Sequence, residues 1–274
     1  MADHTPDAPH FPQAHLAQEL VDYVIDFLHD DSTTLLRASL VSKAWVGSAR
    51  THLCRTLNIT RSKLFSNPLY LTPLCKYVKT LRFALPRDSA SASAVLDCFE
   101  QSEPHTLVIH DCELFSERTI RQCFAKFPCT LITAFEIHDG RPDNETLLIL
   151  LSLFPNVDDL TISISEWRFW RGSNDNEIIK RISPPRLGGS FKCFTPPDSK
   201  DVDGLRDMVL DTIVALPLQF RTISLESEDQ SGEEIGAFLD SCSKTARKVF
   251  IALPYRKSWP CIPFTTPSVQ CANA

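Results

Sequence analysis

The 274-residue sequence predicts an α/β chain in which a short three-helix module precedes an irregular solenoid, with parallel strands inside and helices outside. Three observations predict it. A four-residue strand-like unit recurs along most of the chain. Apolar patterns with helical spacing fill the gaps between those units. The stretch Leu16–Leu53, by contrast, carries helical patterns and no strand unit.

The recurring unit reads Thr80-Leu-Arg-Phe83, Thr106-Leu-Val-Ile109, Ala134-Phe-Glu-Ile137, Asp159-Leu-Thr-Ile162, Ser190-Phe-Lys-Cys193, Thr222-Ile-Ser-Leu225 and Lys248-Val-Phe-Ile251. Its second position falls at 81, 107, 135, 160, 191, 223 and 249, so the steps run from 25 to 32 residues. The second and fourth residues are apolar in every unit, the period-two mark of a strand with one buried face. A leading strand is expected at Cys54–Ile59. Between the units, Ala94, Val95, Cys98 and Phe99 recur at helical spacing, as do Ile120, Cys123, Phe124 and Phe127, then Leu147, Leu148, Leu151 and Phe154. Asn176–Ile182 is a shorter pattern; Leu205–Leu216 and Ile235–Cys242 are clear ones. Pro128, Pro155 and Pro217 follow helices, where proline ends them.

Strand, helix, strand at this period resembles a leucine-rich repeat, a solenoid with a parallel sheet on one side and helices on the other. The repeats are irregular, so the resemblance is to a degenerate form. A doubly wound parallel sheet also alternates strand and helix. Its strands, covered on both faces, read as nearly continuous apolar runs, and these units are half polar.

The N-terminal stretch LAQELVDYVIDFLHDDSTTLLRASLVSKAW has a first helical pattern of Leu20, Val21, Val24, Ile25, Phe27 and Leu28, read as one wide apolar face. It stops at His29–Ser32, where Asp31 or Ser32 can cap the next helix. The second pattern is Leu35, Leu36, Leu40 and Val41; a third starts at Ser42 and runs through Trp45 towards Leu53. A helical unit of this size is at the lower limit for a self-sufficient core and needs a neighbour.

Leu16, Glu19, Leu20, Val24, Phe27 and Leu28, then Leu35, Leu36, Leu40, Val41, Ser42, Lys43 and Trp45, follow the order and nearly the spacing of an F-box, and the stretch resembles that family. The continuation Arg50–Leu57 is similar to the expanded F-box-like families of mushroom-type fungi. Ala17 stands where the family pattern has proline, and the linker His29–Thr34 is slightly long. Proline there fixes the chain entry, so the departure bears on adaptor affinity rather than on the fold. The plainer reading makes Leu16–Leu53 a helical cap on a larger domain. The F-box resemblance implies a non-catalytic substrate receptor of a Skp–cullin–F-box ubiquitin ligase. Its helices dock a Skp-type adaptor, and the cullin through it, while the solenoid holds a client protein. It implies adaptor contacts at Leu16, Glu19, Leu20, Val24, Leu36, Leu40 and Val41, with Leu28 and Trp45 holding the helices together.

Residues 1–14 are polar with three prolines and are expected to be a disordered lead-in. The helical module is placed at 15–53, the solenoid at 54–253 and an irregular tail at 254–274. Apolar residues make up 43 % and net charge is −6 at a sequence pI near 5.8, which argues against a nucleic-acid surface. No apolar run approaches the roughly 20 residues that span a bilayer, and no signal peptide is read, so the chain is expected in the cytoplasm or nucleus. The ten cysteines show no Cys-x-x-Cys pair, and several sit in apolar patterns as small hydrophobes. Asn58–Thr60 and Asn144–Thr146 match a glycosylation triplet by chance on this reading.

No enzyme is predicted, and no cofactor or metal. There is no phosphate-cradling glycine loop in the first half of the chain, where Gly47 alone precedes Gly140, and Gly188-Gly189-Ser190 lacks the frame of a nucleophile elbow. His105, His110, Asp111 and Cys112 cluster about one strand unit and are read as strand-end polar residues. The oddest segment is Ser165–Asp175. Trp167, Arg168, Phe169, Trp170 and Arg171 are residue types that dominate binding hot spots, and they are the predicted client contact. The alternative makes them the insert's own core.

Overall fold

The computed structural model describes residues 16–59, 67–84, 89–111, 116–138, 143–163, 180, 187–194, 210, 213–214, 216, 218–226 and 232–252. The predicted lead-in, the tail and the helix over Asn176–Ile182 (Lys180 apart) fall outside them. So does the aromatic–arginine segment. The chain divides into two compact units, Met1–Arg55 and Thr56–Ala274.

The first unit holds α1 (Gln18–Phe27), α2 (Ser32–Ala38) and α3 (Lys43–Leu53). Asp31 caps α2, its carboxylate accepting from the Thr34 N–H at 3.0 Å. Ser42 occupies the N-cap position of α3 with extended backbone, but its hydroxyl makes no capping bond. The second apolar pattern overran its helix: α2 ends at Ala38, and residues 39–41 form a turn. The core of this unit is small: Val21, Ile25, Leu35, Ala38 and Ala49, with Leu28, Trp45 and Leu53 packed against them. Leu28 and Trp45 thus sit where the sequence placed them. The wide face read on α1 is really two stripes. Val21, Ile25 and Leu28 point inward, while Leu20, Val24 and Phe27 lie roughly a third of a turn away, at 100° per residue, and are exposed.

The second unit is one eight-stranded, all-parallel sheet with strands in strictly sequential order. The strands are β1 (Thr56–Ile59), β2 (Thr80–Ala84), β3 (Thr106–His110), β4 (Ala134–His138), β5 (Asp159–Ser163), β6 (Ser190–Phe194), β7 (Thr222–Glu226) and β8 (Lys248–Ala252). A doubly wound sheet reverses its strand order at a switch point; this one does not. Sequential parallel order is what a solenoid-like α/β arrangement requires.

The register aligns the repeat unit with itself. Leu81, Leu107, Phe135, Leu160, Phe191, Ile223 and Val249 form one lateral ladder. Phe83, Ile109, Ile137, Ile162, Cys193, Leu225 and Ile251 form a second. Side chains alternate faces along a strand, so both ladders point to the same side. There they join a single core with α4 (Thr72–Cys75), α5 (Ser89–Asp97), α6 (Glu117–Cys123), α7 (Asn144–Leu153) and α8 (Gly232–Cys242). Ser116 caps α6 and Asp143 caps α7, accepting from the N–H of Thr119 and Thr146. Leu147 to Leu151 are all buried, so α7 is enclosed on more than one face. Leu210, Ile213 and Leu216, from the pattern at 205–216, are buried as well.

A second ladder of backbone bonds runs just before the strands. The carbonyl of Lys79 accepts from the N–H groups of His105 and Thr106, and that of His105 from Thr133 and Ala134. Thr133 does the same for Asp158 and Asp159, Gly189 for Arg221 and Thr222, and Arg221 for Arg247 and Lys248. The Asp158 carbonyl accepts from Ser190 N–H at 2.8 Å. Each repeat is therefore pinned to the next at its strand entrance, a constraint that alternation of side chains does not reveal.

Candidate interaction surfaces

The helical unit exposes much of its apolar surface. Leu40 is 85 % exposed and Phe27 82 %, with Tyr23, Val41, Leu36, Leu16 and Leu20 all above half and Val24 at 38 %. Helices hide such residues when they can, because each apolar side chain left in water forgoes roughly 1.5–3 kcal/mol. Exposed apolar patches mark interaction surfaces. The predicted contacts Leu16, Leu20, Val24, Leu36, Leu40 and Val41 are all exposed, and so is Glu19, in the first turn of α1 where its charge suits the helix dipole. Sequence reasoning missed Tyr23 and misplaced Phe27. The signal was present: Leu16, Leu20, Tyr23 and Phe27 are spaced by four, three and four, a complete second stripe beside the inward one.

The polar side of α1 is tied to α3. Asp22 accepts from Ser48 Oγ and, at 2.8 Å, from Gln18 Nε2. These bonds, Ser48 first, hold the Asp22 carboxyl below the usual carboxylate range. One turn on, His52 Nε2 lies 2.8 Å from Asp26 Oδ1. The exposed apolar residues are thus carried on a helix fixed by both packing and hydrogen bonds.

Ala17 has φ −57° and ψ 142°. Proline locks φ near −65°, so the backbone here already has the conformation that the family's proline would impose. The carbonyl of Ala17 starts the helix, accepting from Leu20 and Val21 N–H at 3.0 and 3.2 Å.

The opposite face of the sheet carries the third residue of each strand and the fifth of β2 to β8, among them the buried Val108 and Ser163. The third-position row includes Arg82, Val108, Glu136, Thr161, Lys192 and Ser224. His138 Nε2 is 2.9 Å from Glu136 Oε2, and the rings of His110 and His138 stack with centroids 5.4 Å apart. The hydrogen bond from His138 holds the Glu136 carboxyl below the usual range; the charges of His138, Arg82 and Lys192 act in the same direction. Glu136 escaped sequence reasoning, although the register of the repeat put it in one row with Arg82 and Lys192. His105 is exposed at a strand entrance, and Asp111, with φ +52°, follows β3. Cys112 lies outside the described residues. Among the described residues no group of three His, Cys, Asp or Glu is placed to hold a metal ion, and no helix is long and apolar enough to cross a membrane.

No protein-family model matches this chain, and comparison with curated proteins finds no match either.

Proposed function

We propose that this chain is an F-box-like substrate receptor of a Skp–cullin–F-box ubiquitin ligase. The helical unit docks a Skp-type adaptor, and the leucine-rich-repeat-like sheet unit holds a client protein. The chain performs no chemistry itself. One observation carries the reading: seven large apolar side chains of a three-helix unit are more than half exposed, and they include six of the apolar positions at which the sequence resembles an F-box. Burying four or five of them would contribute roughly 1.5–3 kcal/mol each, enough to offset an association cost of about 4–15 kcal/mol.

Co-elution of the purified chain with a purified Skp-type adaptor on a sizing column tests it. A one-to-one complex is expected, lost in Leu20→Asp. Leu20 is outside the core of its unit, so that variant keeps its cooperative melting. A wild-type chain that melts cooperatively and elutes alone at tens of micromolar adaptor (~8 kcal/mol of binding would already be micromolar) sinks the reading.

A further inference from the structure

Two rows of side chains on the face of the sheet opposite its core are spaced for one kind of partner. The first is the third-position row, in which Arg82, Glu136 and Lys192 alternate with the neutral Val108 and Thr161. Its charges run plus, minus, plus, each two strands from the next. At about 4.8 Å per strand, neighbouring charges stand about 9.6 Å apart at the backbone. Arg82 and Lys192 are exposed, and among the described residues neither forms an ion pair. Glu136 is half-buried and held by His138 Nε2 at its Oε2, a bond that takes one of the two carboxylate oxygens. The second row lies two residues further along the same strands, about 6.6 Å away, and is aromatic. The rings of His110 and His138 stack with centroids 5.4 Å apart. Those of His138 and Phe194 are 6.1 Å apart although one strand separates them, so they lean together across β5, where Ser163 is 2 % exposed.

A peptide segment crossing the strands matches this spacing in one regular conformation. A β-strand advances about 3.3 Å per residue and alternates faces, so its same-side residues fall about 6.6 or 13.2 Å apart. An α-helix returns to the same side after seven residues, about 10.5 Å, and is about 2 Å out of step by the third charge. A polyproline II helix has three residues per turn and a rise of about 3.1 Å, so every third residue faces the same way at about 9.3 Å intervals. Polyproline segments dock on grooves lined with aromatic side chains, which the second row supplies beside the charges. We infer that this face binds a proline-rich client segment in polyproline II form, charged at every third residue, with an acid opposite Arg82, a base opposite Glu136 and an acid opposite Lys192. The role of client rests on the substrate-receptor reading; the chemistry of the segment does not.

The test is fluorescence anisotropy of labelled synthetic peptides titrated with the purified full chain, with no adaptor present. The probes are Glu-Pro-Pro-Lys-Pro-Pro-Glu, its charge reversal Lys-Pro-Pro-Glu-Pro-Pro-Lys, and Glu-Gly-Gly-Lys-Gly-Gly-Glu, all with the same short flanks. Each reads the same in both chain directions, so binding polarity does not enter. An exposed ion pair is worth a factor of about 1.4–5. Three pairs gained against three repelled give a preference on the order of tenfold or more for the first probe over the second. The glycine probe binds about fivefold more weakly or worse, because its chain must be ordered on binding. Arg82→Glu with Lys192→Glu, at two exposed positions, inverts the ends of the row. That variant loses the first probe and takes Lys-Pro-Pro-Lys-Pro-Pro-Lys instead, a gain that misfolding cannot produce. Equal affinity for the first two probes overturns the inference, as does equal affinity for the first and the glycine probe. A double variant that keeps the wild-type preference overturns it too. If the preference holds but no adaptor complex forms, the receptor reading falls and this surface stands; if the adaptor complex forms and the peptides bind alike, the receptor reading stands and this surface falls.

Discussion

Gly189→Ala tests the backbone ladder directly. Gly189 has φ +63°, and a methyl group added there would lie 2.2 Å from the carbonyl oxygen of Asp158 and 2.8 Å from its carbonyl carbon. Both are backbone atoms in the column that pins one repeat to the next, so neither can swing aside as a side chain would. The left-handed conformation costs an L residue about 1–2 kcal/mol. Relieving the contact means moving the Gly189 peptide about 1 Å, a van der Waals allowance. Its carbonyl holds Arg221 N–H at 2.7 Å and Thr222 N–H at 3.0 Å, and stretching each such bond costs about 0.5–1.5 kcal/mol. The total is about 2–5 kcal/mol. For a unit of this size that lowers the midpoint by about 4–20 °C, read by scanning calorimetry as the transition of the sheet unit. Gly188→Ala is the control. Its added methyl would meet only Asp158 Oδ1, at 3.4 Å, with no positive φ, and a small shift is expected. A Gly189→Ala midpoint within about 2 °C of wild type, less than 1 kcal/mol on this scale, would refute the argument that this ladder leaves no room at Gly189.

Three further outcomes follow from the same geometry. Ala17→Pro is expected to raise the stability of the helical unit by about 0.4–1 kcal/mol, because the native φ is already that of proline and only the unfolded chain loses freedom; chemical denaturation followed by circular dichroism measures it, and a loss would mean the entry conformation is wrong. Glu136, with its carboxyl held below the usual range, stabilises the fold above the unfolded glutamate value of about 4.3 and loses that contribution as pH falls through the lower folded value. Glu136→Gln should therefore flatten the acid limb of a melting-against-pH series, and identical acid limbs would remove the His138 interaction from the account. Burial pushes the Cys75 and Cys129 thiols up to about 12, so both should resist alkylation at pH 8 in the native protein and react in denaturant, as peptide mass spectrometry would show.

The sheet unit was legible because one residue in two is dictated by burial. Leu81, Leu107 and Phe135 must be apolar to reach the core, and the period of their recurrence is the repeat itself. Helix ends were legible where a side chain does the capping, as at Asp31. They were not where a pattern of leucines ran on past the helix, as at Leu40 and Val41. Those residues are apolar without being buried, and nothing in periodicity separates the two reasons for being apolar. The charged row on the opposite face was legible only in part. Arg82, Glu136 and Lys192 share the third position of their repeat units, which periodicity leaves free to be polar; that they stand two strands apart in one line follows from the sequential order and register of the sheet.

The helical unit is where the two kinds of apolar residue compete. Five buried residues, none larger than leucine, form its core, while seven large apolar side chains stay mostly in water. Folding this unit for its own stability would turn Phe27 and Tyr23 inward and leave Ala38 and Ala49 outside. The actual arrangement does the reverse. Ala38 and Ala49 let the helices approach closely, and the polar ties from Asp22 to Ser48 and from Asp26 to His52 supply orientation rather than burial. Such hydrogen bonds add only about 0.5–1.5 kcal/mol each, but they fix which face of α1 looks outward. The unit therefore has a small core and presents its larger apolar residues at fixed positions, which is the arrangement the proposed docking of an adaptor would use.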